Sequence, residues 1–193
     1  MDHQDMRTLK ILEEIDKEEV PSQRHLAREL NISLGLVNSF IKRLAHKGYF
    51  KITNIPANRV RYILTPTGAA EKARLTYEYI QYSYQFYKGA RHKSQRTFTR
   101  LGAQQVRRIV FLGVGDLAEI AYVSLQETPI QLIAVVDDQK KGEKFLGYSV
   151  KEVKELHALV FDKILLTAID SRDSYLQKLL AADIPPEMVE KIG

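Results

Sequence analysis

The residues best suited to chemistry form a glycine-rich turn in the second half of the chain. The run Gly113-Val114-Gly115-Asp116-Leu117-Ala118 follows a short apolar segment and precedes a helical pattern. Its first glycine allows a tight turn, its second lets a phosphate approach the backbone, and Ala118 allows a helix to pack closely on a strand. Because backbone N–H groups at a helix start favour an anion, this run predicts a phosphate-binding turn. The carboxylate of Asp116 counts against a phosphate at this place.

A pair of carboxylates, Asp137-Asp138, follows the next apolar run, Ile130–Val136. Asp137 lies 24 positions after Gly113, where a carboxylate accepts ribose hydroxyls and would repel a 2′-phosphate. The order of strand, glycine turn, helix, strand and acid predicts an α/β Rossmann-like domain with a small parallel sheet over residues 107–193. The alternative is a domain of this fold that binds nothing and serves only as a dimerisation platform.

Basic side chains dominate the first half of the chain. Between Arg24 and Arg108 there are 17 Lys and Arg residues and only three acids. The net charge is +10 over residues 1–108 and −5 over residues 109–193. Two halves of opposite sign indicate two domains with different partners, and a polyanion such as double-stranded DNA is the natural partner of the first. A basic surface that is merely solvated is the alternative.

Three helices are predicted to position these charges. Residues 5–17 have the apolar periodicity of an amphipathic helix. Ser22 can cap a second helix, Gln23–Leu30, and Ser33 can cap a third that runs to about Lys47. Two short helices joined by a three-residue turn, the second rich in polar and basic side chains, are typical of a helix-turn-helix.

Two β-prone runs follow, at residues 49–52 and 59–64. Thr53–Asn58, with a proline and an asparagine, is predicted to be the turn between them. A hairpin directly after a helix-turn-helix adds a wing. The sequence therefore predicts an α+β winged helix-turn-helix domain over residues 1–67.

The predicted DNA contacts are the exposed residues at the starts of the second and third helices and on the wing. A recognition helix places its N-terminal residues against base edges. Asn38 can read adenine and Lys42 can read guanine. Plain helix surface is the alternative for each residue. The full set is Ser22, Gln23, Arg24, Ser33, Leu34, Asn38, Ser39, Lys42, Arg43, Lys51, Arg59 and Arg61.

Residues 68–106 are predicted to form a helical linker and dimerisation arm. Two apolar stripes run along its first part, one from Ala73 to Tyr87 and one from Leu75 to Phe86. One stripe can pack on its own winged domain, and a symmetry mate is the simplest partner for the other, which predicts a homodimer. Gly89 and Gly102 mark possible breaks in the basic segment that follows, which acts as a linker or as a second phosphate-contacting arm.

The basic half resembles a known family. The stretch from Ser22 to Asn38 is similar to the helix-turn-helix of MarR-type regulators associated with exopolysaccharide gene clusters. Leu64-Thr65-Pro66-Thr67-Gly68, followed by Glu71–Thr76, also looks like that group. The resemblance covers residues 6–90. It implies a winged helix, sequence-specific DNA binding and a homodimer.

The acidic half carries a second resemblance. Val136-Asp137-Asp138, Gly142 and Leu146–Val150 look like the N-terminal nucleotide-binding domain of sugar acyltransferases and nucleotide-sugar dehydratases of surface-polysaccharide pathways. Phe161–Ala168 resembles that domain's fourth strand. The resemblance implies a nucleotide or nucleotide-sugar ligand, with NAD as another possible cofactor. The implied site residues are Gly113, Val114, Gly115, Asp116, Leu117, Asp137, Asp138, Thr167, Ala168 and Ile169.

Catalysis finds no support in the sequence. Without any cysteine, disulfides, thiolate catalysis and Cys-ligated zinc are excluded. Tyr175 and Lys178 are three positions apart, which is not the spacing of a short-chain dehydrogenase, and the five histidines show no metal-ligand spacing. We therefore expect neither an enzyme nor a metal site. The polar N-terminus and the short apolar runs predict a cytoplasmic protein without a signal peptide or membrane span.

These observations predict a transcriptional regulator of surface-polysaccharide genes whose α/β domain senses a nucleotide or nucleotide-sugar. One alternative keeps this architecture and makes the signal NAD(H), as in redox-sensing repressors. A second alternative is a nucleotide-sugar-modifying enzyme module held on DNA. A third is a chromosome-associated structural protein that binds DNA without sequence preference.

Overall fold

The chain divides into two compact units, Met1–Tyr84 and Gln85–Gly193, and the boundary lies inside one long helix. The first unit is a winged helix-turn-helix domain, and the second is an α/β domain with a four-stranded parallel sheet. The structure is a computed structural model. It describes residues 1–17, 21–55, 59–169 and 172–192.

Three helices open the first unit: α1 (His3–Ile15), α2 (Gln23–Glu29) and α3 (Leu34–His46). The predicted caps are present. The Ser22 hydroxyl accepts a hydrogen bond from the His25 N–H at 3.1 Å, and the Ser33 hydroxyl accepts one from the Leu36 N–H at 3.3 Å. Each helix buries one apolar stripe. The core they share contains Ile11, Leu12, Leu26, Val37, Phe40, Ile41 and Leu44.

The wing is an antiparallel hairpin of β1 (Phe50–Ile55) and β2 (Arg59–Leu64). Its inner face packs Phe50 against Tyr62, edge to face, with ring centroids 5.6 Å apart. The prediction of a turn from Thr53 onward is wrong, because β1 continues to Ile55 and Thr53 pairs with Arg61. The rest of the predicted turn, residues 56–58, lies outside the described residues.

The fourth helix, α4 (Pro66–Ala103), begins directly at the base of the wing. The Thr65 hydroxyl accepts a hydrogen bond from the Gly68 N–H at 3.0 Å and donates one to the Gly48 carbonyl at 2.6 Å. A Cβ on Gly68 would lie 1.8 Å from the carbonyl oxygen of Tyr49, so no other residue fits there without a backbone shift. The motif Leu64–Gly68 therefore fixes where α4 starts against the hairpin.

The helix α4 differs from its prediction in two respects. It runs for 38 residues without interruption, so the breaks expected at Gly89 and Gly102 are not present. A glycine inside a helix costs about 1 kcal/mol relative to alanine, and the burial of Phe98 and Leu101 offsets that cost locally. One of the two apolar stripes was expected to pack on the winged domain, but of the stripe from Leu75 to Phe86 only Leu75 is buried, and Tyr79, Tyr82 and Phe86 are exposed.

The second unit alternates strands and helices around a sheet with the order β4-β3-β7-β8, all parallel. A small hairpin of β5 and β6 follows β4, and 3-10 helices occupy Asp138–Lys140, Val153–Ala158 and Pro186–Met188. The elements are β3 (Arg108–Leu112), α5 (Asp116–Leu125), β4 (Gln131–Val136), β5 (Lys144–Phe145), β6 (Tyr148–Ser149), β7 (Lys163–Leu166), α6 (Arg172–Ala181) and β8 (Val189–Lys191).

The central strand β3 is covered on both faces. Ile109 and Phe111 pack into a core with α5 and the C-terminal part of α4, whereas Val110 and Leu112 pack into a second core with α6. A strand buried on both sides needs a continuous apolar run, which is why β3 lacks polar alternation. None of the helices in the described ranges has the length and apolarity that a membrane span needs.

Candidate functional site

The outer face of α3 carries polar and basic side chains opposite the buried stripe. Lys42 and Ser39 are exposed, and Asn38 is half-buried beside them. Leu34 is also exposed at the N-terminal end of the helix. This is the end that a recognition helix presents to base edges. The α3 face is defined here by Leu34, Asn38, Ser39 and Lys42.

Several other predicted DNA contacts already have partners within the domain. The hydroxyls of Ser22 and Ser33 act as helix caps, and the Ser39 hydroxyl donates to the Gly35 carbonyl at 3.1 Å. The Gln23 amide donates to the Tyr62 hydroxyl at 3.3 Å. These bonds position the α2 and α3 helix starts.

Arg43 is held on the same domain by two contacts. Its guanidinium donates to the Gln4 side-chain oxygen at 3.1 Å and lies 4.5 Å from the centroid of the Phe40 ring. A guanidinium over an aromatic face is attracted by the ring quadrupole. Arg43 therefore has to break these two contacts before it can bind a phosphate. Arg24, at the start of α2, is exposed.

The wing presents basic residues on its outer face. In the register of the hairpin, Lys51 pairs with Ile63 and Thr53 pairs with Arg61, so these four side chains share one face. Lys51 and Arg61 are both exposed. Arg59 lies in β2, and its side chain is outside the described part of the chain. The wing face is defined here by Lys51, Thr53 and Arg61.

A cavity of about 310 Å³ lies at the carboxyl ends of β3 and β7. The strand β4 lies on one side of β3, and β7 lies on the other, so the order in which the strands are added reverses at this place. Ligands of open α/β sheets bind in the crevice that such a reversal creates. The lining includes most of the predicted site: Gly113, Val114, Gly115, Asp116, Leu117, Asp137, Thr167, Ala168 and Ile169.

The glycine turn is pressed against the end of β7. Gly113 has a φ of +103°, and a Cβ there would lie 2.7 Å from both the Cβ and the backbone nitrogen of Ala168. The Thr167 hydroxyl donates to the Gly113 carbonyl at 2.6 Å. Thr167 and Ala168 therefore shape the turn that forms the cavity floor.

Asp137 is buried, with 4% of its surface exposed, and its carboxylate holds the turn together. One oxygen accepts the Val114 N–H at 3.0 Å, and the other accepts the Gln139 N–H at 3.0 Å. Burial and the hydrogen bond to Asp137 raise the pKa of the Tyr175 hydroxyl above its usual range. Asp137, the residue predicted to bind a ribose, therefore also anchors the glycine turn.

Asp138 lies apart from this cavity. One of its oxygens accepts the Val153 N–H at 2.9 Å, and the other accepts the Lys178 ammonium at 2.8 Å. Burial acts to raise the pKa of Asp138, but the hydrogen bonds from Lys178 and Val153 outweigh it and leave the pKa below its usual value. The resemblance had implied that Asp138 lines the glycine-turn cavity. Instead, Asp138 links the end of β4 to α6.

Three lining residues were not among the predicted ones: Gln139, Lys140 and Tyr175. The Lys140 ammonium lies 3.4 Å from the Val114 carbonyl. Together with the N-terminus of α5, whose first N–H groups have no intrahelical acceptor, it supplies positive potential next to Asp116. Lys140 stands three residues after Asp137, on the 3-10 turn that Asp137 caps, and that spacing is the only sequence signal for it.

Two family matches agree with the two units. Residues 5–51 match the family described as winged helix-turn-helix DNA-binding, and residues 105–189 match the family described as C2185-like, N-terminal. The first unit is therefore a winged helix-turn-helix domain of the DNA-binding class, which supports a transcriptional regulator. No curated protein matches the chain.

Two solved structures share low similarity with the chain. A MarR family transcription regulator, SP03579, is 22% identical with a TM-score of 0.38, over 51% of this chain and 72% of that one. The S-adenosylmethionine-dependent methyltransferase SibL, in its apo form, is 17% identical with a TM-score of 0.29, over 97% of this chain and 73% of that one. At these scores neither likeness carries an argument. Among the described residues, no three acidic or histidine side chains are grouped to hold a metal ion.

Proposed function

We propose that this protein is a transcriptional regulator that binds operator DNA through the α3 face and the wing face. The observation that carries the proposal is the joint exposure of Lys42 on the recognition helix and of Lys51 and Arg61 on one side of the hairpin. A helix for the major groove and a basic wing beside it are the two parts with which a winged helix grips a duplex. Surface-polysaccharide genes are the proposed targets, on the strength of the sequence resemblance alone.

The test is selection of bound duplexes from a random library by the full chain, followed by fluorescence anisotropy on the selected sequence. A specific regulator enriches one motif. Asn38→Ala should lower its affinity for that motif by about 1–3 kcal/mol and relax preference at one base pair, because a bidentate base contact is lost. Gln126→Ala, which removes an exposed amide at the end of α5, is the control. Enrichment of no motif would favour the chromosome-associated structural protein.

We propose further that the glycine-turn cavity binds a nucleotide or nucleotide-sugar and that the protein is a sensor and not an enzyme. The N-terminus of α5 and Lys140 support an anionic group, and Gly115, where an added Cβ would meet no atom within 4 Å, leaves the backbone open to its approach. The position of the cavity at the reversal of strand order supports a nucleotide there.

Thermal unfolding of the full chain against a nucleotide panel tests this proposal. The panel contains NAD, NADH, NADP, ATP, UDP, and UDP- and GDP-sugars. A ligand at 100 times its Kd adds roughly 2.7 kcal/mol to the unit that binds it, a shift of several degrees. A shift with NADH alone would favour the redox-repressor alternative. No shift with any of these ligands would leave the α/β domain as an assembly platform.

A homodimer is the proposed assembly. The side chains of α4 from Tyr77 to Tyr84 include a run of exposed aromatic and apolar residues, with Tyr77 64% and Ile80 56% exposed. A single chain rarely exposes so many large apolar groups on one helix, and a second copy buries them most simply. Sedimentation equilibrium should give twice the chain mass, and Ile80→Glu should shift the equilibrium to monomer, with Glu78→Gln as control.

A further inference from the structure

A second hollow, of about 230 Å³, lies between α4 and the N-terminus of α5 in the α/β unit. We call it the α4 hollow and define it by Phe86, Gly89 and Lys93 of α4, Leu117 of α5, and Ile169 after β7. Its lining is mostly apolar, and Gln85 and Lys93 provide its polar groups. Nothing in the sequence motifs points to it.

At Gly89 the backbone of α4 has no side chain where it lines this hollow. A Cβ added to Gly89 would have no atom within 4 Å. Packing therefore does not require a glycine there, although a glycine inside a helix costs about 1 kcal/mol relative to alanine. The missing side chain leaves room for a flat group to lie against the helix beside Phe86.

The α4 hollow adjoins the glycine-turn cavity. Leu117 and Ile169 line both of them. Small-molecule sites commonly measure about 300–1,000 Å³, so the glycine-turn cavity alone is at the low end of that range and the two together extend well into it. A ligand that fills both has a polar, phosphate-bearing part and an apolar part joined to it.

We propose that the α4 hollow binds the distal ring of a two-part nucleotide conjugate, whose phosphate lies in the glycine-turn cavity. Phe86 and Gly89 offer an apolar surface for a ring face, and the Lys93 ammonium and Gln85 amide lie where they can bind polar substituents of the ring. The proposal rests on the proposed nucleotide function and adds which part of the molecule holds the second half of the ligand.

The place of the α4 hollow gives the ligand a route to the first unit. The distal ring contacts α4 directly, and α4 is the same uninterrupted helix that begins at Pro66 after the wing. A mononucleotide that occupies only the glycine-turn cavity makes no such contact. We therefore expect the conjugate, and not its mononucleotide, to change the affinity for DNA.

Filling the hollow tests the proposal. Gly89→Leu places a side chain in the space of the distal ring, and Gly102→Leu is its matched control, because a Cβ there also meets no atom within 4 Å and Gly102 lines neither hollow. Calorimetry on the full chain measures two pairs of probes, UDP with UDP-N-acetylglucosamine and ADP with NAD. Thermal unfolding verifies that both variants are folded.

The wild-type chain should bind the conjugate of one pair at least tenfold more tightly than its mononucleotide. Gly89→Leu should remove that advantage and leave the affinity for the mononucleotide unchanged, while Gly102→Leu changes neither. If the mononucleotide binds but the conjugate has no advantage, or Gly89→Leu leaves the advantage intact, the α4 hollow is not a ligand site and the nucleotide function stands. If neither member of either pair binds, this proposal fails, and thermal unfolding against the full nucleotide panel decides separately whether the nucleotide function fails with it.

Discussion

The two units of this protein use polar side chains in opposite ways. On the winged unit, Lys42, Lys51 and Arg61 are exposed on surfaces that no core element covers. In the α/β unit, Asp137, which follows β4, is buried, and its carboxylate accepts hydrogen bonds from two backbone N–H groups. The exposed cations of the winged unit are available to bind a partner. The buried carboxylate of the α/β unit instead shapes a cavity. A residue at a motif position therefore has to be judged by what its atoms already bind.

The largest expected effect on stability is that of Asp137→Ala. The substitution removes the charged acceptor of the Val114 and Gln139 N–H groups, and a hydrogen bond to a charged group contributes about 1.5–3 kcal/mol. We expect a loss of about 3 kcal/mol in urea unfolding of the full chain. Tyr175→Phe, which removes a single hydroxyl from the same group, should cost about 1 kcal/mol. A loss below about 1 kcal/mol for Asp137→Ala would show that the carboxylate does not anchor the turn.

The winged unit has one position of comparable constraint, Gly68. Its added Cβ would overlap the Tyr49 carbonyl, so Gly68→Ala forces the start of α4 away from the hairpin. We expect a loss of about 2–3 kcal/mol by thermal unfolding, in the range of overpacked sites. Gly89→Ala in the same helix should instead stabilise by about 0.5–1 kcal/mol, because its Cβ meets open space. Equal effects at the two glycines would contradict the contacts described at Gly68.

The exposed cations should affect DNA affinity and leave stability unchanged. Lys42→Ala, Lys51→Ala and Arg61→Ala should each stay within about 0.5 kcal/mol of the wild-type free energy of unfolding. Where the side chain binds a phosphate, the slope of log affinity against log salt concentration should fall in magnitude by about 1. Anisotropy titrations at several salt concentrations measure it. Lys10→Ala, exposed on α1, is the control, and an equal change there would mean that the basic surface acts only as a diffuse charge.

The smallest effect concerns pH and the Asp138–Lys178 pair. The pKa of Asp138 is lowered in the folded protein, so its contribution is complete above the unfolded value of about 3.9 and is lost as the pH falls through the folded value. Because both side chains are partly exposed, we expect less than about 1 kcal/mol. Asp138→Asn should flatten the pH dependence of urea unfolding below about pH 5. An unchanged pH dependence would show that the Asp138–Lys178 pair does not contribute to the stability of the domain.

Local sequence signals predicted the elements of both units well. Ser22 and Ser33 cap their helices as expected, because capping needs only the residue and its next three neighbours. The apolar run of β3 predicted a strand buried on both faces. The helical linker was expected from residue 68, and α4 begins two residues earlier, at Pro66. Each of these features depends on contacts that are close in sequence.

Features that depend on distant contacts were harder to predict. The continuity of α4 through Gly89 and Gly102 depends on packing of its C-terminal part, which local propensity does not report. Lys140 and Tyr175 reach the cavity only because a 3-10 turn and α6 bring them there. The separation of Asp138 from the cavity follows from its bond to Lys178, 40 residues later. A carboxylate pair in sequence thus serves two different places in the fold.

We propose that DNA and a nucleotide conjugate bind this chain with coupled affinities. The most direct test measures the DNA affinity with and without the conjugate that stabilises the chain, and the conjugate affinity with and without the selected DNA. We expect each affinity to change by about 5- to 150-fold when the other ligand is present. The factor should be the same in both measurements, because binding linkage is reciprocal. Tight binding of both ligands with no change in either affinity would contradict it.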